Sequence, residues 1–326
     1  MVGVGSFGRN HARVYKELEA EGAALAAVVD ANLERAQAVA AEYGGRAFSS
    51  VSAMLEACPH LAAASVAVPT LAHLATAREL MERGVDVLVE KPLAFSLDEA
   101  DAMIACARQH GRVAQAGHLE RFNPAVRATW PLLTRPMFFE IHRLSVFTPR
   151  SLDVDVVLDL MIHDLDIVLK MAASPVRELR AVGLPVLTGK VDIASVRLEF
   201  ESGCVANFTA SRISTERVRK LRFFQPAQYV SIDYSRRDVF TLTVKPTAAG
   251  MPEIAPYKPE VPPEEPLRAE LRSFLQAVRQ RSTPEVTLED GRAALALAIE
   301  IQRQMAEHQR RAGLDKVAAA MRGATD

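Results

Sequence analysis

Cysteine is scarce. The chain has three in 326 residues, Cys58, Cys106 and Cys204, far apart, odd in number and without a CxxC pair. A disulfide framework is not expected, no metal site is expected, and the chain reads as one made for a reducing compartment. An excess of one charge is lacking too. Lys and Arg total 39 against 40 Asp and Glu, a formal net charge of -1. That balance speaks against nucleic acid as a partner, which would call for a basic surplus, and leaves room for a local pocket that takes a small anion. No apolar run reaches the ~18–20 residues of a membrane helix, so no membrane partner is expected. The opening MVGVGSFGRNHARVYKEL turns polar at once and has no unbroken apolar segment of the kind a signal peptide carries. The expected location is cytoplasmic. No internal repeat is visible, and the one biased stretch is PEIAPYKPEVPPEEP, read as a proline-rich linker.

What is present suffices for a folded protein. Apolar residues make up 49% and charged residues 24%, enough apolar surface to build a core rather than a disordered chain. At roughly 150 residues per domain the length predicts two domains. Residues 1–118 alternate short Val- and Ala-rich runs with helical patterns, the mark of a parallel α/β sheet. The runs are Ala24 to Val29, Ala63 to Val68, Val85 to Val89 and Val113 to Ala116. The helical stretches are Leu33 to Tyr43, Leu71 to Arg83 and Leu97 to His110, preceded by a first helix whose inner face joins Phe7, His11, Val14 and Leu18. Gly84 and Gly111 follow two of these helices, where a left-handed cap is wanted, and Ser96 with Glu99 makes a capping box. After Gly117 the texture changes to long alternating strands: Met137 to Phe147, Val176 to Leu187, Ile193 to Phe200, Cys204 to Ser211, Leu221 to Phe224, Tyr229 to Tyr234 and Val239 to Val244. One helix, Asp153 to Ala172, interrupts them. Residues 119–326 are therefore expected to form a substrate-binding and oligomerisation α+β domain with a large, mostly antiparallel open sheet, closed by helices 267–280 and 288–311.

Four motifs carry chemistry. Gly3-x-Gly5-x-x-Gly8 opens a helix directly after a strand stub, and Asp30 ends the next strand 22 residues beyond Gly8. Glycines allow the tight turn and close backbone approach to a pyrophosphate, and a carboxylate at that place takes ribose hydroxyls. The plain alternative is a flexible glycine turn. Asp30 favours NAD over NADP, because a carboxylate repels a 2′-phosphate; Arg35 reads as a solvated charge on the following helix. Only Met1 and Val2 precede Gly3, against the five or so residues of a usual strand; the strand is truncated, or the start lies upstream. The second motif, Val87-Leu-Val-Glu90-Lys91-Pro92, ends a strand, and open α/β sheets bind ligands outside the carboxyl ends of their strands. Lys91 is thereby placed at the cofactor crevice, with an ordinary surface lysine as the alternative, and Pro92 is a candidate for a cis bond. The third is an otherwise apolar helix with Asp155, Asp159, His163 and Asp166 at spacings of 4, 4 and 3. A His set between aspartates reads as a site facing a ligand rather than a solvent-facing stripe, and the absence of a second histidine argues against a metal. The fourth, Gln115-Ala-Gly117-His118-Leu-Glu120-Arg121-Phe-Asn123-Pro124, lies at the domain junction, a polar hinge or a contact with both ligands.

Together GVGSFGRNH, VPTLAH at 68–73, VEKPL at 89–93, RFNP at 121–124, DLMIHDLD at 159–166 and EPLRAEL at 265–271 resemble the Gfo/Idh/MocA oxidoreductases over essentially the whole chain. The resemblance implies a Rossmann domain followed by an α+β domain. It implies NAD contacts at Gly3, Gly5, Ser6, Phe7, Gly8, Asp30, Pro69, Thr70, His73, Glu90, Lys91 and Gln115. It also implies catalytic roles for Lys91, Asp159 and His163, which bind substrate together with Glu120, Arg121 and Asn123. Within the family, GHLERFNPAV with DVDVVLDLMIHDLDIVL is most similar to the UDP-N-acetylglucosamine 3-dehydrogenases. The expected activity is then NAD-dependent oxidation of a ring hydroxyl of a sugar or nucleotide sugar, at C3 of UDP-N-acetylglucosamine. A polyol or aldose dehydrogenase, or a non-catalytic NAD-binding sensor, are the alternatives. Arg143, Arg150, Arg212, Arg217 and Arg219 are candidates for a diphosphate. A homodimer or homotetramer through the C-terminal sheet is expected, because one sheet face has too few helices to cover it.

Overall fold

The computed structural model describes residues 1–148, 154–245 and 252–314. Two units result: Met1–Phe122 with Glu264–Leu295, and Asn123–Pro263 with the chain from Ala296 onward. The first unit holds five parallel strands, β1 (Ala27–Val29), β2 (Arg46–Phe48), β3 (Ala63–Val66), β4 (Asp86–Glu90) and β5 (Ala114–Gly117). β1 pairs with β2, and β3 with β4 and β5. Val2 alone stands between the two groups, bridging in parallel to Val29 and to Val66. Its N–H reaches the Ser65 carbonyl at 2.8 Å, and its own carbonyl accepts from Ala67 at 2.8 Å. Ala24, Leu25 and Ala26, expected in a strand, have no ladder partner on that side and stay outside β1. The gap flanked by Leu25–Ala27 and Ala62–Ser65 is instead a cavity of about 500 Å³ reaching Met1 and Tyr15. The Met1 amino group donates to the Ala27 carbonyl at 2.9 Å. Its complete burial lowers its pKa to about 5.

Around this sheet run α1 (Ser6–Glu17), α2 (Leu33–Tyr43), α3 (Val51–Ala57), α4 (His73–Glu82) and α5 (Leu97–Gln109). Asn32, Ser50 and Ser96 cap α2, α3 and α5 by accepting from Arg35, Ala53 and Glu99 N–H groups at 3.0, 3.2 and 3.2 Å. Gly84 and Gly111 take the left-handed conformation expected of them, at φ +86° and +59°. All five residues of β4 are buried, as in a strand covered on both faces. The inner face of α1 is His11, Ala12, Val14 and Tyr15. Phe7, expected there, is exposed, because it lies in the first turn at the mouth of the glycine loop.

The second unit is an eight-stranded sheet. Its strands are β6 (Phe138–Leu144), β7 (Val176–Leu184), β8 (Ile193–Phe200), β9 (Val205–Ser211), β10 (Val218–Gln225), β11 (Gln228–Asp233), β12 (Asp238–Lys245) and β13 (Glu253–Tyr257). They lie in the order β13-β12-β11-β10-β6-β9-β8-β7, antiparallel except for the parallel pair β6 and β9. β13 falls in the stretch expected to be linker. Pro256 is tolerated in it because β13 is an edge strand. One face is apolar and buried, with Ala194, Val196, Leu198 and Phe200 of β8 alternating inward. A short helix α6 (Pro124–Arg127) precedes the sheet. The described part of the long helix comprises a π-helical turn, Val157–Met161, and α7 (Ile162–Ala172); the expected first residue, Asp153, lies outside the described residues. The π turn packs against β9.

The last described helices are α8 (Pro266–Gln280) and α9 (Leu288–Arg311). Both were expected in the second domain, yet residues 264–295 belong to the first unit. The reason lies in the apolar stripe of α8. Leu267, Leu271, Phe274 and Ala277 join one core cluster with Val14, Leu18, Val28 and Val39. Leu271 and Phe274 are fully buried, each contributing about 1.5–3 kcal/mol. Among the described residues no helix is long and apolar enough to cross a membrane.

Candidate active site

Three glycines shape the turn before α1 for three different reasons. Gly3 sits at φ +80°, and a Cβ there would stand 2.7 Å from the backbone of Ala67. A Cβ on Gly8 would meet the Gly3 carbonyl oxygen at 1.9 Å, so α1 lies against the turn only without a side chain. Gly5 is different: a Cβ there meets nothing within 4 Å. Its absence serves the space outside the protein rather than the packing inside. α1 then begins with no side-chain cap and no acidic residue in its first turn. Ser6 and Phe7 are exposed, and their N–H groups are placed for an anion. Asp30, just past β1, is buried and tied to the turn. One carboxylate oxygen accepts from Val4 N–H at 2.9 Å and the other from Asn32 N–H at 2.9 Å. Arg35 is not merely solvated: its Nη1 lies 3.5 Å from Asp30 Oδ1. An uncapped helix start offers N–H donors, an open glycine offers space and a carboxylate at the next strand end offers acceptors, the kinds of group a dinucleotide site uses.

The carboxyl ends of β3 and β4 lie beside this turn in the same unit. Pro69 is exposed and Thr70 half-buried. The Lys91–Pro92 peptide is cis, as the sequence suggested, and Lys91 is half-buried. Three of the expected cofactor contacts instead lie under the surface. His73 is buried, its Nδ1 3.1 Å from the Pro92 carbonyl and its Nε2 3.0 Å from the Val68 carbonyl. Burial lowers its pKa, while the carbonyls at both ring nitrogens oppose that shift. The ring straps the loop after β3 to the turn after β4. Gln115 is fully buried in β5, with no hydrogen-bond partner for either amide atom among the described residues. Glu90 is buried with Oε1 3.0 Å from His11 Nε2, an ion-pair distance without hydrogen-bond alignment.

The expected substrate contacts at the junction are also interior. Glu120 and Arg121 are buried, and Arg121 Nη2 approaches Asp290 Oδ1 at 3.7 Å. Asn123 caps α6, accepting from Ala125 N–H at 3.1 Å, and donates to the Tyr234 carbonyl at 3.2 Å. Its amide holds the second unit's own backbone.

In the second unit the polar stripe divides by function. Asp155 is a helix cap: its Oδ1 accepts from Val157 and Leu158 N–H at 2.9 and 3.1 Å, and Gln302 donates to its Oδ2. Asp166 is buried. Asp159, within the π turn, and His163, in the first turn of α7, are both half-buried. A π turn inside an α-helix is rare and concentrates at functional sites. Asp164 was missed by the sequence reading. It is buried and takes Arg143 in a two-pronged pair, Nε to Oδ2 at 2.6 Å and Nη2 to Oδ1 at 2.9 Å. Arg143 is thus committed to the interior, and so is Arg212, which donates to the Val154 carbonyl at 2.8 Å. Arg150 lies outside the described residues, and Arg217 is exposed.

Two further side chains escaped the sequence reading: His11, taken only as part of an apolar face, and Glu270, inside the EPLRAEL run. Both are fully buried, and burial, then the charge of Glu90, raises the Glu270 pKa well above 4.5. Away from these groups, Glu82, Cys106 and His110 offer three ligand atoms within 4.8 Å of one another, a grouping the cysteine spacing did not reveal.

Comparison with known proteins extends over most of the chain. Residues 1–118 match a family model described as an oxidoreductase family with an NAD-binding Rossmann fold, and residues 128–224 match the GFO/IDH/MocA C-terminal domain. The chain is 36% identical over 307 residues to UDP-N-acetylglucosamine 3-dehydrogenase of Acidithiobacillus ferrooxidans, covering 93% of this chain and 95% of that one. A solved structure of that enzyme superposes with a TM-score of 0.85 over 93% of this chain and 95% of its own. NAD-dependent scyllo-inositol 2-dehydrogenase of Bacillus subtilis is 28% identical over 66% of this chain and 67% of that protein. A levoglucosan dehydrogenase in complex with NADH shares the fold, with a TM-score of 0.83 at 18% identity over 94% of this chain and 96% of its own.

Proposed function

Since the chain belongs to the Gfo/Idh/MocA oxidoreductases, we propose that it is an NAD-dependent dehydrogenase that oxidises the C3 ring hydroxyl of UDP-N-acetylglucosamine. The observation that carries this reading is the end-to-end similarity to an enzyme of that activity, extending through both family domains. NAD supplies a hydride acceptor when bound. The glycine turn and the exposed start of α1 hold its pyrophosphate, and Asp30 takes its ribose hydroxyls. Asp30 also favours NAD over NADP, although the Arg35 guanidinium 3.5 Å away makes that preference moderate. Titration of NADH and NADPH by fluorescence tests it; equal or tighter NADPH binding contradicts it.

His163 accepts the hydroxyl proton. A histidine suits the task because its ordinary pKa lies near working pH. Asp159 orients or charges the imidazole from the preceding turn, and Lys91 donates a hydrogen bond to the reacting oxygen, stabilising negative charge as it develops. Pro69 and Thr70 line the cofactor side. Arg217 and Arg219 are the remaining candidates for the diphosphate. NAD reduction with UDP-N-acetylglucosamine, measured beside UDP-glucose, free N-acetylglucosamine and inositol, tests the substrate. Faster turnover of a free sugar or polyol overturns the nucleotide-sugar reading, and no turnover of any overturns the enzyme reading.

The protein acts as a homo-oligomer through the second unit's sheet. The side chains Val182, Leu184, Phe224, Phe240 and Val244, which point away from its buried face, are exposed, an apolar surface of the kind interfaces cover. Light scattering tests this; a monomer at micromolar concentration contradicts it. The family chemistry and the lack of a membrane-spanning helix among the described residues support a cytoplasmic location.

A further inference from the structure

Three ionisable side chains are buried together in the first unit: His11 of α1, Glu90 at the end of β4 and Glu270 of α8. Among the described residues neither ring nitrogen of His11 and neither oxygen of Glu270 has an aligned hydrogen-bond partner. Such a group is costly to bury, and apolar side chains of similar size would fill the space without that cost. The cluster lies where two ligand-facing elements meet. Glu90 directly precedes Lys91, and its Oε2 accepts the Lys91 backbone N–H at 3.3 Å. Its Oε1 is 3.0 Å from His11 Nε2. The His11 ring in turn stands edge-on to Phe7, in the first turn of α1, with centroids 5.1 Å apart. Gly117, opposite Glu90 in β5, makes room: a Cβ there would come within 2.7 Å of Glu90 Oε1.

We propose that Glu90 is a positioning residue for Lys91, its carboxylate seated between His11 and Glu270 so that the Lys91 turn and the first turn of α1 keep one fixed spacing. The inference rests on the reading of Lys91 as a residue of the reaction site. The groups facing the seat are His11 and Tyr15 from α1, His73 from α4, Glu90 from β4 and Glu270 from α8. Tyr15 shares a hydrogen bond of 2.6 Å with Ser65, and burial raises its pKa, so it stays neutral. Glu270, pushed up by burial and by Glu90, keeps its proton. Glu270 therefore presents an uncharged carboxyl to the seat.

The test uses the full chain without cofactor. Lys91 is labelled with an amine-reactive ester and quantified by peptide mass spectrometry against exposed Lys170. Glu90→Gln is expected to change the Lys91 to Lys170 labelling ratio by about threefold or more, and His11→Asn to change it in the same direction. Glu270→Gln, which mimics the protonated acid, is expected to leave the ratio unchanged and to delete a protonated-carboxyl infrared band at neutral pH. In the NAD-loaded enzyme Glu90→Gln is expected to lower kcat about tenfold or more with little change in the sugar KM. A labelling ratio unchanged in both Glu90→Gln and a folded His11→Asn overturns the proposal, as does a shift in Glu270→Gln equal to that of Glu90→Gln. If wild-type protein transfers no hydride while the labelling shifts appear, the positioning role stands and the dehydrogenase reading falls.

Discussion

The two units bury charge to the same depth and treat it in opposite ways. In the second unit Arg143 and Asp164 are a complete pair: two charge-assisted bonds of 2.6 and 2.9 Å, with the guanidinium 5.0 Å from the centre of the Tyr234 ring. Donors and acceptors match, so the pair braces β6 against α7. In the first unit His11, Glu90 and Glu270 put one imidazole against two carboxyls, and the count does not close. Matched buried charge marks a brace. Buried polar groups without aligned partners among the described residues mark a place where the fold accepts an energetic loss to hold something else. On α7 two neighbours differ in depth, with Asp164 buried in the brace and His163 half-buried.

The largest expected effect breaks the contrast within α7. His163→Asn should lower turnover by roughly 10²–10⁴-fold, the usual contribution of a general acid or base, while NADH binding and the melting temperature change little. Oxidation by wild type should rise with pH as His163 loses its proton, and that limb should vanish in the variant. If Lys91 is the base instead, His163→Asn raises KM, leaves kcat nearly intact and keeps the limb. The next effect is on stability alone. Arg143→Leu strands Asp164 in the interior and should cost about 3–5 kcal/mol by urea denaturation, and Arg143→Met with Asp164→Leu should regain most of it. Equal losses in the single and double variants would make the pair more than a brace.

Smaller is the pH signature of the mismatched cluster. The unfolded chain sheds the Glu270 proton near 4.5, whereas the folded chain keeps it to higher pH. That contribution to stability is whole below 4.5 and declines as pH rises towards the folded pKa. Glu270→Gln should flatten the decline, and urea midpoints taken from pH 5 to 8 check it. The smallest effect on the fold is expected at Gly5. Gly5→Ala meets no protein atom within 4 Å, so stability should stay within about 0.5 kcal/mol while NADH affinity falls. Gly3→Ala, which meets the Ala67 backbone at 2.7 Å, should lose stability as well.

Much of the molecule was legible beforehand because it is local. Cap residues Asn32, Ser50 and Ser96 work within four residues of themselves, and Gly84 and Gly111 answer a backbone demand at their own positions. Alternation along β8 reports a single wet face, and its predicted ends match the observed Ile193–Phe200. The glycine turn and Asp30 were legible for the same reason, being a strand end and the helix after it. Depth was not legible. His73, Gln115, Glu120, Arg121 and Asn123 all belong to polar motifs beside a strand end or junction, and all are buried. A polar residue type at the right spacing says nothing about which way the side chain turns once neighbours pack over it. The 4-4-3 stripe divides in depth likewise. Its four members keep their spacing, but Asp155 was taken by the helix start, and the π turn that holds Asp159 has no periodicity signal of its own.

The sequence by itself determined the order of elements, the two-part organisation, the glycine turn before α1 and the family, since each depends on residues close together in the chain or on their succession. Tertiary structure alone decided that α8 joins the first unit's core, that Val2 does the work of a strand, and that Arg143 belongs to Asp164. It also decided that Glu270, 180 residues beyond Glu90, shares a buried layer with it. Those outcomes depend on which apolar stripe finds a partner and which charge is left without one, and chain neighbours carry no record of either.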